Sequence, residues 1–309
     1  MNTCAHIYCR APMPSGAEAC PVCDHPVDPA KLKDPGFLMR SVGGLPKLGP
    51  ILDLHQILPR HPMALPAQRM LMEGLDIERA LLQSVPPEAQ KLQGNAELAE
   101  VRAKHPEQFV TSWYIDPREE GALEQLQAAR AADAQVIKLL PVAGYRLDEE
   151  RFHPFWEAVQ DMGLVLLVHT GFITARHKEE EHAAGRFFNA SFGDPLQLDE
   201  PARRFPRARI LMAHGGGAIF HEAGAQLLTQ HENIRADISG MGIFALQRWL
   251  KLGVTLDWSQ VVWGNDSPFF HYPMNLRLLV HSLERAGAQE LLRPLLYDNG
   301  QRLLQDWLA

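Results

Sequence analysis

From residue 50 onward, short apolar segments alternate with longer amphipathic ones, and this alternation constrains the fold more than any other feature. The runs near 164–169 and 209–213 are continuously apolar, which is typical of parallel strands buried on both faces. The predicted strands are residues 50–57, 77–84, 108–115, 135–140, 164–169, 208–214, 233–238 and 260–266. Helical periodicity is found between them, at 88–104, 119–132, 148–161, 217–231 and 273–287.

Eight strand–helix units in the region 50–309 predict an α/β fold, a (β/α)8 TIM-like barrel, which typically uses about 250 residues. An open, doubly wound parallel sheet is the alternative, because the hydrophobic pattern alone does not show closure. The sequence contains no G-x-G-x-x-G, Walker A or G-x-S-x-G string. It therefore does not support a dinucleotide-binding, nucleotide-binding or serine-hydrolase function.

All the cysteines of the chain lie near its N-terminus, at Cys4, Cys9, Cys20 and Cys23. Four thiolates complete a closed tetrahedral zinc shell, and the C-x4-C-x10-C-x2-C spacing resembles a short zinc ribbon. His6 and His25 are near enough in sequence to replace a cysteine. We expect a structural zinc in a module at 1–27 and a linker, rich in Pro, Gly and Lys, at 28–49. Two disulfides, or free surface thiols, are the alternatives.

Charge and hydropathy limit the partners of the chain. Thirty Lys and Arg against 37 Asp and Glu give a formal charge of −7, which disfavours nucleic-acid binding. Mean hydropathy is −0.18, and no apolar run approaches the ~20 residues of a membrane span. The first residues lack the basic-then-apolar layout of a signal peptide. We expect a cytoplasmic protein, with a homodimer as an open option, that acts on a small molecule.

Several predicted strands end in side chains that can bind a metal ion. The first strand carries Asp53 and His55, and the fifth, sixth and eighth end at His169, His214 and Asp266. In a barrel these ends meet at one face, where such enzymes place their active sites. Because residues two apart on a strand point the same way, Asp53 and His55 are expected to face the interior together. One divalent zinc or manganese ion is then expected at Asp53, His55, His169 and Asp266.

Each of these residues also has a purely structural interpretation. A histidine at 169 or 214 is compatible with a core imidazole bonded to a carbonyl group. Asp266 is compatible with a turn or a helix N-cap. The ordered recurrence of such residues at four strand ends favours a site. Weaker candidates, expected to contact substrate, are Lys138, Arg176, His177 and His271.

The same residues give the chain a family resemblance. The strings that carry it are Leu52-Asp53-Leu54-His55, Val168-His169-Thr170-Gly171, Ala213-His214-Gly215-Gly216-Gly217 and Gly264-Asn265-Asp266-Ser267-Pro268-Phe269. In this order they resemble the amidohydrolase-related family, which includes aminocarboxymuconate-semialdehyde decarboxylase, resorcylate decarboxylase and metal-dependent hydrolases. The resemblance covers residues 50–309 and not the cysteine segment.

The resemblance implies a metal-dependent hydrolase that cleaves a C–N or related bond of a small molecule with metal-activated water. In that reaction Asp266 would transfer the proton and His214 would stabilise the developing oxyanion. A non-oxidative decarboxylase of a small aromatic or unsaturated acid is the alternative, with Asp266 or His214 protonating the carbon. A second alternative is a non-catalytic barrel that acts as a scaffold through its zinc module.

One position departs from the family pattern. Many relatives carry D-x-H-x-H on the first strand, with both histidines on the metal, and Ile57 stands where the second is expected. In one register His55 is the sole ligand from this strand, which weakens the site. In the other, Asp53 and His55 take both ligand positions, resembling the E-x-H pattern of resorcylate-type decarboxylases. We favour the second register because it restores four ligands without moving the strand.

Overall fold

Eight parallel strands follow one another in chain order, and each is hydrogen-bonded to the next. They are β1 (Ile51–Gln56), β2 (Ile77–Leu82), β3 (Phe109–Tyr114), β4 (Val136–Leu139), β5 (Val165–His169), β6 (Arg209–Ala213), β7 (Ile234–Asp237) and β8 (Val261–Val262). Each lies within a segment predicted to be a strand. The computed structural model describes residues 3–6, 8–87, 91–173, 188–251 and 256–308.

The sheet curls until its last strand meets its first. Leu54 donates its backbone N–H to the carbonyl of Trp263 (3.1 Å), and Asp266 donates to the carbonyl of His55 (2.7 Å). Gly264 makes this approach feasible, because a Cβ at that position would lie 2.6 Å from Cβ of His55. The result is a nearly closed barrel, which confirms the (β/α)8 prediction over the open sheet.

Helices separate the strands and cover the barrel. Among the described residues they are α1 (Pro35–Gly43), α2 (Ala64–Leu75), α3 (Asn95–Lys104), α4 (Ala122–Ala131), α5 (His153–Asp161), α6 (Asp199–Arg204), α7 (Gly217–Gln230), α8 (Gly242–Lys251), α9 (Tyr272–Ala286) and α10 (Asn299–Leu308). None of these helices combines the length and apolarity that crossing a bilayer requires.

Two apolar layers follow from the alternation of side chains along each strand. One layer fills the barrel interior with residues from β1 to β6 and β8, and Leu303, Leu304 and Trp307 of α10 close it. The other lies between the strands and the surrounding helices. On β1, Leu52 and Leu54 belong to the interior layer, so this alternation fixes which neighbouring side chains point outward.

Residues 28–49 are not a simple linker, in contrast to the expectation from composition. They form a 3-10 helix (Pro29–Lys33) and then α1. Asp28 accepts a hydrogen bond from Ala30 N, and Asp34 accepts one from Gly36 N, each at 2.9 Å. Each aspartate is an N-cap followed by proline at the first helical position, a known helix start. Proline here therefore starts helices instead of marking a linker.

Candidate active site

His55, at the end of β1, is fully buried, and its two ring nitrogens face different groups. Its Nδ1 lies 3.0 Å from Oδ2 of Asp237 and 3.1 Å from Oγ of Ser239. Its Nε2 lies 3.3 Å from Nζ of Lys138 and 3.5 Å from Oδ1 of Asp266. Because Asp237 engages Nδ1, Nε2 is the nitrogen that remains for an ion or a proton.

His214 connects the neighbouring part of the site. Its Nε2 lies 3.1 Å from Nδ1 of His169 and 3.7 Å from Oδ2 of Asp266. Its Nδ1 lies 2.9 Å from the carbonyl oxygen of Ser239. Gln83 holds the carboxylate of Asp266 by donating from Nε2 to Oδ1 at 2.6 Å. The structure therefore brings together His55, His169, His214 and Asp266, as the strand ends predict.

The backbone is strained at two of these positions. His214 has a φ of +66° and Asp266 a φ of +38°, in the left-handed region that side chains other than glycine rarely adopt. Such strain persists only where surrounding contacts impose it, and it concentrates at functional sites. His214 directly follows β6 and Asp266 lies a few residues after β8, so the left-handed conformation redirects the chain at the barrel mouth.

Asp237, at the end of β7, orients the site from behind. The Asp237 carboxylate accepts hydrogen bonds from His55, from both the backbone N–H (2.9 Å) and the hydroxyl of Ser239, and from the backbone N–H of His214 (3.4 Å). Ligand atoms of His55, His214 and Asp237 lie within 4.8 Å of one another, so proximity alone makes them a candidate metal group. Because four donors already engage the Asp237 carboxylate, we assign it the role of orienting the histidines.

Burial and mutual charges shift the pKa values of these groups. Burial lowers the pKa of Lys138 to about 8, although Asp266 and Asp237 oppose the shift. Burial favours a higher pKa for Asp237. The charge of His55 and the hydrogen bond from His55 outweigh this effect and lower the pKa to about 2. Burial favours a lower pKa for both His55 and His214, and the pKa of His214 is lowered. For His55 the nearby carboxylates prevail and raise the pKa.

Asp53 does not join this group, which corrects the prediction that it is a metal ligand. Its Oδ2 accepts a hydrogen bond from the hydroxyl of Tyr272 on α9 (2.7 Å), and its Oδ1 accepts from Asn265 N (2.9 Å) and His55 N (3.2 Å). Because Leu52 and Leu54 point into the barrel, Asp53 points outward to the helices. Burial raises its pKa to about 7, opposed by these hydrogen bonds.

The reason that His55 nevertheless faces the site lies in the register of β1. The pairing of β1 with β2 shifts between Asp53 and Gln56, so strict alternation fails at the strand end. His55 is therefore the one residue of this pair that the structure brings to the site, as in the register that we did not favour. Ile57 lines the cavity and contributes apolar surface where many relatives have a histidine.

A cavity of about 860 Å³ opens above these side chains. Lys138 and His271, both expected to contact substrate, line it, and so do His169, His214 and Asp266. The predicted contacts Arg176 and His177 lie outside the described residues. Much of the remaining wall is apolar, which is typical of small-molecule sites.

The donor set at the bottom of this cavity fits a divalent metal ion. The carboxylate of Asp266 lies 3.5 Å from Nε2 of His55, and His214 lies between this carboxylate and His169. His55, His169 and Asp266 are the candidate ligands, and His214 is the candidate for proton transfer. Mixed nitrogen and oxygen donors of this kind suit zinc or manganese. The orienting hydrogen bond from His55 to Asp237 is the usual support for a histidine ligand.

The cysteine cluster has the dimensions of a zinc site. The sulfurs of Cys4 and Cys23 are 3.7 Å apart and those of Cys9 and Cys20 are 3.8 Å apart. Four sulfurs about 2.3 Å from a central zinc ion are about 3.8 Å apart. Burial raises the pKa of Cys4 to about 12, and a bound cation would favour its thiolate. The four thiols are free and buried, which disfavours disulfides and surface thiols.

Sequence reasoning missed three groups that shape the site. Asp237 and Ser239 are not among the predicted site residues, although Asp237 ends a strand as His169 does. Gln83, directly after β2, holds Asp266 and gave no comparable signal, because glutamine is common in many settings. The cysteine module also reaches the cavity through Tyr8 and Arg10, a contact between parts distant in sequence.

A known protein family matches most of the barrel region of the chain. Residues 67–305 match the amidohydrolase family. The chain therefore belongs to the amidohydrolase family and is a metal-dependent enzyme of that family. This membership does not favour the scaffold interpretation. Among curated protein sequences, none matches the chain.

Solved structures share the barrel at low sequence identity. A 2,6-dihydroxybenzoate decarboxylase from Rhizobium has a TM-score of 0.57 at 15% identity, covering 83% of this chain and 99% of that one. A manganese-bound 5-carboxyvanillate decarboxylase variant from Novosphingobium aromaticivorans has a TM-score of 0.52 at 17% identity, covering 77% and 80%. A protein from Acinetobacter baumannii assigned as a 2-pyrone-4,6-dicarboxylic acid hydrolase has a TM-score of 0.56 at 12% identity, covering 82% and 99%. At these identities the likeness establishes the fold.

Proposed function

We propose that this protein is a metal-dependent, non-oxidative decarboxylase of a small aromatic carboxylic acid. The observation that carries the proposal is the buried Lys138, which lines the cavity with its Nζ 3.3 Å from Nε2 of His55 and interacts electrostatically with the carboxylate of Asp266. A cation at the bottom of a largely apolar cavity suits an aromatic ring that bears a carboxylate. Decarboxylases among the structurally similar proteins give further support.

Each residue of the site would have a separate role in such a reaction. His55, Asp266 and His169 would hold a divalent ion, which supplies a positive charge for the substrate's carboxylate. Lys138 faces the same point and would bind and orient that carboxylate. Asp266 or His214 would deliver a proton to the ring carbon that carries it. The bond between that carbon and the carboxylate then breaks, its electron pair stays on the ring, and carbon dioxide leaves.

The assay measures carbon dioxide released from 2,6-dihydroxybenzoate and from 5-carboxyvanillate, the acids named for the structurally similar decarboxylases. In deuterated water, one deuterium is expected on the vacated ring carbon. The variant Asp266→Asn is expected to be inactive. The matched control Asp161→Asn removes an exposed carboxylate on α5 and is expected to retain activity. Absence of carbon dioxide from a broad set of aromatic acids would contradict the proposal.

Hydrolysis is the second candidate, because a structure assigned as a dicarboxylic acid hydrolase shares the barrel. In that reaction Asp266 would accept a proton from the attacking water and return it to the leaving group. Labelled oxygen from water appears in the product of hydrolysis, whereas decarboxylation places deuterium on carbon. The two isotopes measured on one product therefore distinguish the candidates.

A further inference from the structure

The cysteine module lies across the mouth of the barrel and forms part of the cavity wall. Its residues Tyr8 and Arg10 line the same cavity as His214 and Asp266. The carbonyl of Tyr8 accepts a hydrogen bond from the backbone N–H of Ile243 on α8 (3.1 Å). The module and the barrel therefore share one cavity.

Tyr8 comes close to the candidate catalytic histidine. A Cβ on Gly240 would meet Nδ1 of His214 at 3.1 Å and the hydroxyl of Tyr8 at 3.5 Å. Both side chains thus border the same glycine, which has a φ of +64° and leaves room for them. The ring of His6 lies 5.3 Å from that of His271, which also lines the cavity. The contact between module and barrel is therefore made at the site itself.

The thiol cluster determines where these wall residues lie. Tyr8 lies between Cys4 and Cys9 in sequence, and Arg10 directly follows Cys9. His6 donates its backbone N–H to the sulfur of Cys4 (3.4 Å), and Arg10 donates to the carbonyl of His6 (3.2 Å). Short turns of this kind have no apolar core of their own, so an ion bound by the sulfurs is what fixes them.

A second contact fixes the module to the helices around the barrel. Oδ2 of Asp24 accepts a hydrogen bond from the hydroxyl of Ser41 on α1 (2.7 Å) and lies 3.9 Å from Nε of Arg277 on α9. Arg277 in turn donates to the carbonyl of Ser41 (3.1 Å). The module is thus attached beside the mouth as well as across it.

Among the described residues that line the cavity, basic side chains outnumber acidic ones, whereas the chain as a whole is acidic. Arg10, Lys91 and Lys138 line it, and Asp266 is the single carboxylate among the described lining residues. The whole chain, by contrast, has a formal charge of −7. Within the described part of the chain, no carboxylate lies within ion-pair distance of Arg10. The guanidinium at the rim therefore suits an anionic ligand.

We infer that the module, with zinc on its four thiolates, is a substrate-binding wall in which Arg10 binds a second anionic group of an aromatic ligand, apart from the carboxylate held at Lys138, and Tyr8 packs beside it. The inference rests on the proposed function only in requiring an anionic substrate. The zinc contributes by fixing the wall, and the reaction itself takes place at the barrel site. Arg10 is then a specificity-determining residue outside the barrel.

The test measures binding by the full-length, metal-loaded protein. The probe is isophthalate, which carries two carboxylates, and its counterpart is 3-carbamoylbenzoate, in which an uncharged amide replaces one of them. The wild-type protein is expected to bind isophthalate more tightly. Arg10→Gln is expected to weaken isophthalate binding about tenfold and to leave 3-carbamoylbenzoate binding unchanged. The matched control Arg40→Gln removes an exposed arginine of α1 and is expected to change neither.

A double variant, Cys20→Ser with Cys23→Ser, tests the role of the zinc. It is expected to lose one zinc ion per chain, to keep the barrel metal, and to weaken binding of both probes. Circular dichroism shows whether this variant folds. If it unfolds, Tyr8→Ala tests the same wall and is expected to weaken binding of both probes.

The inference is overturned if Arg10→Gln and Arg40→Gln bind isophthalate equally, or if the wild-type protein does not prefer isophthalate to 3-carbamoylbenzoate. It is also overturned if the folded double variant or Tyr8→Ala binds both probes as tightly as the wild-type protein. Because binding is measured without turnover, an Arg10 effect in a protein that releases no carbon dioxide would refute the proposed reaction alone.

Discussion

Nδ1 of His55 lies 3.0 Å from Oδ2 of Asp237, and this fully buried pair joins the first strand of the barrel to the seventh. The pair determines which nitrogen of His55 faces the cavity. It leaves Nε2 directed toward Lys138 and Asp266, where the donors for a metal ion converge. The site therefore depends on a carboxylate placed behind its histidines.

Replacement of Asp237 by asparagine is expected to weaken metal binding in the barrel by about 10–100-fold. An amide has one acceptor oxygen, and it cannot serve all the donors that the Asp237 carboxylate serves. Competition with a chelator measures the affinity, with Asp161→Asn as the control. Equal affinities in both variants would show that Asp237 does not orient the site.

Asp53→Ala is expected to destabilise the protein by about 1–3 kcal/mol and to leave the barrel metal in place. The substitution removes the acceptor of three buried donors: the hydroxyl of Tyr272 and the backbone N–H groups of Asn265 and His55. Denaturant unfolding and metal analysis check the two effects, and Asp266→Ala serves as the comparison that loses metal. A folded Asp53→Ala protein without barrel metal would restore Asp53 as a ligand.

The stability of the metal-free protein is expected to depend on Lys138 between about pH 8 and pH 10.5. Its pKa is about 8 in the folded chain and 10.5 when unperturbed. In this window the unfolded chain binds the proton more tightly, so the free energy of unfolding rises with pH. Relative to Lys138→Met, the free energy of unfolding is expected to rise by on the order of 3 kcal/mol across this pH window. Parallel stability curves for the two proteins would contradict the assignment.

His214→Ala is expected to slow turnover about 10²–10³-fold, because it removes a donor that faces the reacting group. Metal content is expected to stay close to that of the wild-type protein. The control His281→Ala changes a histidine on α9, away from the cavity, and is expected to leave turnover unchanged. Loss of the metal in His214→Ala would identify His214 as a ligand.

The fold was predictable because each strand of the barrel is marked locally. Runs such as 164–169 are apolar throughout and stand between amphipathic helices, so strand number and order follow from the sequence. The residues at the strand ends were found by the same argument, and His55, His169, His214 and Asp266 do come together.

The orientation of Asp53 was not predictable in this way. It depends on the register shift at the end of β1 and on the contact with Tyr272, more than two hundred residues away. The helix starts at Asp28 and Asp34 had a local signal, an aspartate before a proline, which composition obscured. The placement of Tyr8 against α8 had none, because only the folded chain brings these parts together.

The central claim is that His55 and Asp266 share a divalent ion at the bottom of the cavity. Anomalous X-ray diffraction from crystals of the metal-loaded protein, at the zinc and manganese edges, tests it most directly. The account predicts one peak within bonding distance of Nε2 of His55 and the carboxylate of Asp266, and a second among the four cysteine sulfurs. A barrel with no peak at that position in metal-loaded crystals would contradict the account.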